Sequence, residues 1–204
     1  MGTKIQSDQY ASDGWTPVLD TWTYASAVTI TVPAGALLIY SNGDRIRLTQ
    51  TTVKYFNVRS VADTVLTLVP SSDYTLVNAA ISEISYSKLP MPVGFPSSFN
   101  FDGSWSGFSS ISTDSCAFVV IGSVITLSLN ISGTSNATTL SFTPPIPMSE
   151  YQLAGPSQDN GGWNTDPAFF SPGGAPVTIY KNPSLSAWTA SGTKLIFTSL
   201  TYRF

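Results

Sequence analysis

Apolar and polar residues alternate in short runs along this chain, and a three-to-four-residue helical spacing is hard to find anywhere. In Arg45-Ile46-Arg47-Leu48-Thr49-Gln50, Ile46 and Leu48 fall on one side and Arg45, Arg47 and Thr49 on the other, the pattern of a half-buried strand. The Asn-Gly pair in Ser41-Asn42-Gly43-Asp44 signals a hairpin, with Ala36-Leu37-Leu38-Ile39-Tyr40 as the partner strand. Further strands are predicted at Val53–Arg59, at Val65–Val69 (stopped by Pro70) and within Asn78–Tyr86. In the second half, Cys116–Ile121 and Val124–Asn130 flank a two-residue turn, Gly122-Ser123. Thr139–Phe142 and Val177–Lys181 are short strands. In the last strand Ile196, Leu200, Tyr202 and Phe204 share one face with Thr198, and Phe197, Ser199, Thr201 and Arg203 share the other. Apolar residues on both sides at Leu195 and Phe197 suggest a central or intersubunit strand.

Between these halves, Leu89-Pro90-Met91-Pro92-Val93-Gly94-Phe95-Pro96 is too rich in proline to join a central strand. It reads as a semi-rigid linker between two β domains, or as a loop within one. The expected architecture is all-β: a small barrel-like N-terminal domain over residues 1–89, a linker over 90–98, and an antiparallel, jelly-roll-like β-sandwich over 99–204.

Composition supports this reading. Charged residues make up only 10% of the 204, hydrophobic ones 42% and aromatic ones 12%, a balance typical of sheet proteins with Ser/Thr-rich surfaces. The net charge is −3, and the densest basic pair, Arg45 and Arg47, reads as the solvated face of one strand. Nucleic-acid binding, which needs a basic patch, is not expected. Met1-Gly2-Thr3-Lys4-Ile5-Gln6-Ser7 has no apolar core of a signal peptide, and no stretch has the length for membrane insertion, so synthesis in a cytosol is expected.

Several longer stretches are more specific. Gly14-Trp15-Thr16-Pro17-Val18, Trp22–Ala27, Thr29–Pro33, Gly43–Phe56 and Asp73-Tyr74-Thr75-Leu76 together resemble a module of structural and tail-associated proteins of tailed bacteriophages. Gly133–Thr139, Asp159-Asn160-Gly161 and Ala187–Lys194 resemble a C-terminal β domain often joined to it. The resemblance implies a virion protein made in the bacterial cytoplasm: a short fibre, a spike or a head decoration, homotrimeric, in contact with other capsid or tail proteins. It implies that the first domain anchors and the second projects toward the host. It brings no catalytic or ligand motif, and the chain lacks the long repeats or coiled coils of a fibre shaft. A purely architectural cement protein, and a carbohydrate-binding module or small glycan hydrolase, are the alternatives.

The residues themselves offer little site chemistry. The chain has no His and one Cys, which removes His-dependent catalysis and makes a zinc site improbable; no catalytic residue, metal or cofactor is predicted. Cys116, in the apolar run Cys116–Ile121, reads as a buried inert thiol. Paired carboxylates are the only enzymatic option: Asp159 and Asp166 with Trp163 between them, or Asp102 near Trp105. Both Asp159-Asn160-Gly161 and Asp166-Pro167 are also turn formers, as are Gly161-Gly162 and Gly173-Gly174. For ligand binding the candidates are Trp163, Asn164, Asp166 and Trp188. Each Trp either anchors its own loop or presents a flat face to a host-surface glycan or a partner protein. Trp15, Trp22 and Tyr24 are expected to pack on their own sheet or on a neighbouring subunit. The sequons Asn130-Ile131-Ser132 and Asn136-Ala137-Thr138 read as coincidences of a Ser/Thr-rich chain.

Overall fold

The computed structural model describes residues 13–172 and 176–204, and the chain divides into two units, residues 1–97 and 98–204. The Met1–Ser7 stretch and the Gly173-Gly174 turn lie outside the described residues.

Among the described residues the first unit holds β1 (Thr16–Pro17), β2 (Thr23–Ser26), β3 (Thr29–Thr31), α1 (Ala36–Ile39), β4 (Arg45–Gln50), β5 (Thr52–Ala62), β6 (Val65–Val69) and β7 (Ser82–Ser87). The strands form one antiparallel seven-stranded sheet in the order β1-β7-β4-β5-β6-β3-β2. Period-2 alternation puts Ile46, Leu48, Phe56, Val58, Leu66 and Leu68 on one face, where they form the core with Trp22, Ile30, Tyr40, Leu76 and Ile84. The opposite face is partly roofed by Trp15, whose ring lies 6.0 Å from Tyr55 and 6.3 Å from Phe95. Trp15 and Trp22 are both buried, and Tyr24 packs against the core of its own sheet.

Three expectations need correction here. The sheet does not close into a barrel among the described residues. Its edge strand β1 is two residues long and ends in Pro17, which has no N–H to offer a further strand. The run Ala36–Tyr40 is not the hairpin partner of β4 but the single turn α1. Asp63 Oδ1 accepts from the backbone N–H of Gly35 (2.6 Å) and Ala36 (3.3 Å), which fixes that turn, while β5 and β7 occupy both sides of β4. Arg45, read as solvent-facing, is buried, with its guanidinium 6.0 Å from the Phe95 ring and donating to Gly43 O. Burial lowers its pKa to about 10.

The Asn78–Tyr86 candidate becomes a strand only from Ser82. Ahead of it, the Gln50 side chain donates to Val77 O (2.7 Å) and accepts from Val77 N (3.1 Å), doing for that segment what a neighbouring strand would. The proline-rich segment is tied to this first unit: Val93 N donates to Asp13 O and Trp15 Nε1 donates to Val93 O, both at 2.8 Å.

The second unit comprises β8 (Phe99–Phe101), β9 (Ser104–Ser106), β10 (Phe108–Ile121), β11 (Val124–Ser135), β12 (Leu140–Thr143), β13 (Gln152–Leu153), β14 (Ser157–Asp159), β15 (Gly162–Trp163), β16 (Phe169–Ser171), β17 (Val177–Tyr180) and β18 (Thr193–Arg203). Two antiparallel sheets result, β15-β14-β18-β11-β10-β8 and β13-β16-β17-β12-β9. The β10–β11 hairpin turns at Gly122-Ser123, with Gly122 at φ 60°, a conformation that a side chain would strain. Ile125, Leu127, Leu129 and Ile131 of β11 and Ile196, Leu200 and Tyr202 of β18 face Leu140, Phe142, Phe170, Val177 and Ile179 of the other sheet; all are buried. Phe101 and Phe142 meet across the layers with ring centroids 6.4 Å apart, and Tyr202 donates to Ile146 O at 2.9 Å. β18 is central, between β14 and β11, and the alternation expected for it holds along its length.

Candidate functional site

The predicted ligand residues sit around the β14–β15 hairpin. Asn160 (φ 53°) and Gly161 (φ 79°) both take the left-handed conformation that a tight two-residue hairpin turn requires. This turn places Trp163 on the outermost strand of the six-stranded sheet, with 63% of its surface exposed. Asn164 is held beside it: its backbone N–H donates to Ser157 O (2.9 Å) and its side-chain amide to Ser157 Oγ (2.8 Å). Asp166 follows in the connection to β16 and is exposed.

Trp188 does not join them. It is buried, and its indole N–H donates to Ile179 O at 2.8 Å, so its ring anchors its own loop to the facing sheet and has no face for a ligand. The flanking sequence, Ser186-Ala187-Trp188-Thr189, is as polar as that around Trp163, and only the partner carbonyl on β17 tells the two apart.

Asp159 is likewise committed. Its side chain is 5% exposed, with Oδ1 3.0 Å from Lys194 Nζ and Oδ2 3.1 Å from Lys181 Nζ. Oδ2 also accepts from the backbone N–H (3.1 Å) and hydroxyl (3.0 Å) of Thr189. Burial by itself would raise its pKa, but Lys194, the Thr189 N–H, Lys181 and the Thr189 hydroxyl together outweigh it and hold the carboxyl below its ordinary value. Asp159 therefore ties the hairpin base to the segment leading into β18. Trp105 does not engage Asp102: it donates to Asp114 Oδ1 (3.1 Å), which also lies 3.1 Å from Cys116 Sγ, while Asp114 Oδ2 accepts from Gly103 N (3.1 Å). Burial, reinforced by Asp114, pushes the Cys116 thiol far above its usual pKa.

Strand register extends the exposed surface beyond the hairpin. Trp163 pairs with Gln158, which pairs with Leu195, so the three share the sheet's outer face. Phe197, two residues on from Leu195, lies on that face too and is 59% exposed. It borders a depression of about 270 Å³ lined by Ser115, Ala117, Ser128, Asn130 and Ser199. Along β10 from Ser115, β11 and β18 the outward positions are Ser, Thr, Asn, Ala, Val, Ile, Leu and Phe, with Arg203 the one charged residue. Sequence alternation alone identifies Phe197 as outward; only register shows that it shares a face with Trp163.

Among the described residues no group of three or more Cys, Asp or Glu is placed to hold a metal ion, and no helix is long and apolar enough to cross a membrane. Comparison with protein-family models, curated proteins and solved structures finds no match to this chain.

Proposed function

We propose that this is a non-enzymatic virion protein of a tailed phage, a short fibre, spike or head decoration in which the first unit attaches to the particle and the second presents the outer face of its six-stranded sheet. The observation that carries the reading is that two exposed aromatic rings, Trp163 and Phe197, share one face otherwise nearly free of charge. Such a face is covered at little desolvation cost, because Arg203 is the one outward charged side chain along β10 from Ser115, β11 and β18, and the rings supply the anchoring area. The resemblance of Gly43–Phe56 and its companions to phage tail-associated modules supports placing the chain in a virion. Homotrimer formation belongs to the same proposal. Hydrolysis does not, because Asp159, the better placed of the candidate acids, is bound to two lysines.

Immunogold labelling of purified particles tests the location, and adsorption of fluorescent protein to host cells tests the face. The expected result is labelled virions and adsorption abolished by the double variant Trp163→Ala/Phe197→Ala. Unlabelled particles, or adsorption unchanged in the double variant, overturn the respective half of the reading. The architectural alternative predicts labelled particles and no adsorption by wild-type protein; the exposed apolar ridge Leu37, Leu38 and Ile39 on α1 of the first unit favours some such contact with another subunit.

A further inference from the structure

The first unit carries a groove of about 690 Å³, larger than the depression beside Phe197 and within the range of small-molecule sites. Its floor is the sheet face opposite the core: Arg47 and Thr49 of β4, Val53 and Tyr55 of β5, and Ser82, Glu83 and Ser85 of β7; the segment Pro17–Thr21 forms a wall. Two features show that its polar groups are held in position. The Arg47 guanidinium lies over the Trp15 ring, its Cζ 4.8 Å from the centroid, with Nη2 3.3 Å from Ser85 Oγ and Nη1 4.0 Å from Asp13 Oδ2. A guanidinium has five donors in a rigid fork, and these contacts leave donors over. Opposite it, Glu83 stands at φ 49°, unusual for a residue with a side chain, where the register of β4 against β7 shifts between Arg47 and Thr49. That bulge re-aims the Glu83 carboxylate onto the Thr49 hydroxyl, which donates to it at 2.8 Å.

We infer that this groove binds a saccharide, with Glu83 and Arg47 as the polar contacts and the Val53 and Tyr55 side chains under the sugar's C–H face. A carboxylate accepts from two vicinal hydroxyls, a guanidinium donates to ring or hydroxyl oxygens, and an apolar floor covers the axial hydrogens. The lining argues against two other classes. Asp20 and Glu83 oppose a polyanion such as nucleic acid. An added peptide strand needs a free edge, but on β7 Ser85 and Tyr86 pair with β1, and Ile84 O accepts from Val18 N. This inference goes beyond the virion reading and places a ligand on the unit assigned there to attachment.

The test is two-dimensional NMR of the full chain with maltotriose, cellotriose and chitotriose, each at about 10 mM, a concentration suited to millimolar affinities. At least one probe should shift amides within residues 47–55 and 81–85. Glu83→Gly, which suits the positive φ and removes the carboxylate, should keep the native spectrum and weaken binding at least tenfold; Arg47→Gln should do the same. Trp163→Ala should leave these shifts intact, which separates this groove from the outer face of the second unit. The inference is overturned if no probe shifts those amides, or if binding survives Glu83→Gly and Arg47→Gln undiminished.

Discussion

Lys194 has no exposed side-chain surface, and its ammonium lies 3.0 Å from a carboxylate oxygen of Asp159. It also donates to the carbonyls of Ser191 (2.8 Å) and Gly192 (3.2 Å), so its charge is fully enclosed by protein acceptors. Removing the carboxylate leaves that charge buried without its counter-ion. Asp159→Asn is expected to destabilise the second unit by about 3–5 kcal/mol. Urea unfolding followed by far-UV circular dichroism measures this, and Asp159→Asn/Lys194→Met should recover most of the loss, since it removes both charges together.

The same carboxylate makes stability depend on pH. Its folded-state pKa is depressed, so the unfolded chain binds its proton more readily and stability rises with pH through this range. The contribution is complete above the ordinary Asp value of about 3.9. It is lost as pH falls from there through the lower folded-state value. Melting temperature should therefore drop on acidification below about pH 4 in the wild type. The corresponding part of that drop should be missing in Asp159→Asn.

Two tryptophans that look alike in sequence should behave oppositely. Trp188→Phe keeps most of the buried volume but leaves Ile179 O without its donor, a loss of about 1–2 kcal/mol. Trp163→Ala, at an exposed position, should change stability by no more than about 0.5 kcal/mol while reducing adsorption to host cells. Paired denaturation and adsorption assays on both variants check this. Adsorption lost only in Trp188→Phe would contradict the assignment of the outer face.

Cys116 should be inert in the folded protein. Burial and the neighbouring Asp114 keep it a thiol throughout the neutral and mildly alkaline range, and thiolate is the reactive form. Labelling with iodoacetamide at about pH 8 should be slow without denaturant and should follow the unfolding curve of the second unit.

The parts of the fold legible in sequence are those where one face of a strand meets a core. β4, β6 and β18 read correctly as strands because Ile46 and Leu48, Leu66 and Leu68, and Ile196, Leu200 and Tyr202 fall at even spacing on one buried face. Segments ordered by side-chain hydrogen bonds leave no such signal. α1 is set by Asp63, distant in sequence, and the path before β7 by Gln50; neither changes local periodicity. The exposed position of Trp163 was legible, because Asp159-Asn160-Gly161 announces a turn beside it. Trp188 failed for the converse reason, its partner being a carbonyl on another strand. The groove around Arg47 and Glu83 was invisible because it arises from a register shift between strands far apart in the chain.

The central position of β18 sets an order of synthesis. Val124 faces Arg203 and Thr134 faces Thr193, so the strand that completes the six-stranded sheet is made long after the β10–β11 hairpin it must join. Until residues 193–203 emerge, β14 has no neighbour but β15, and one side of β11 offers bare N–H and C=O groups to any passing strand. The first unit meets no such delay, because its sheet is finished at Ser87. On the ribosome it folds first, and the nascent second unit follows as an unfinished hairpin exposed to chaperones and to pairing with other nascent chains.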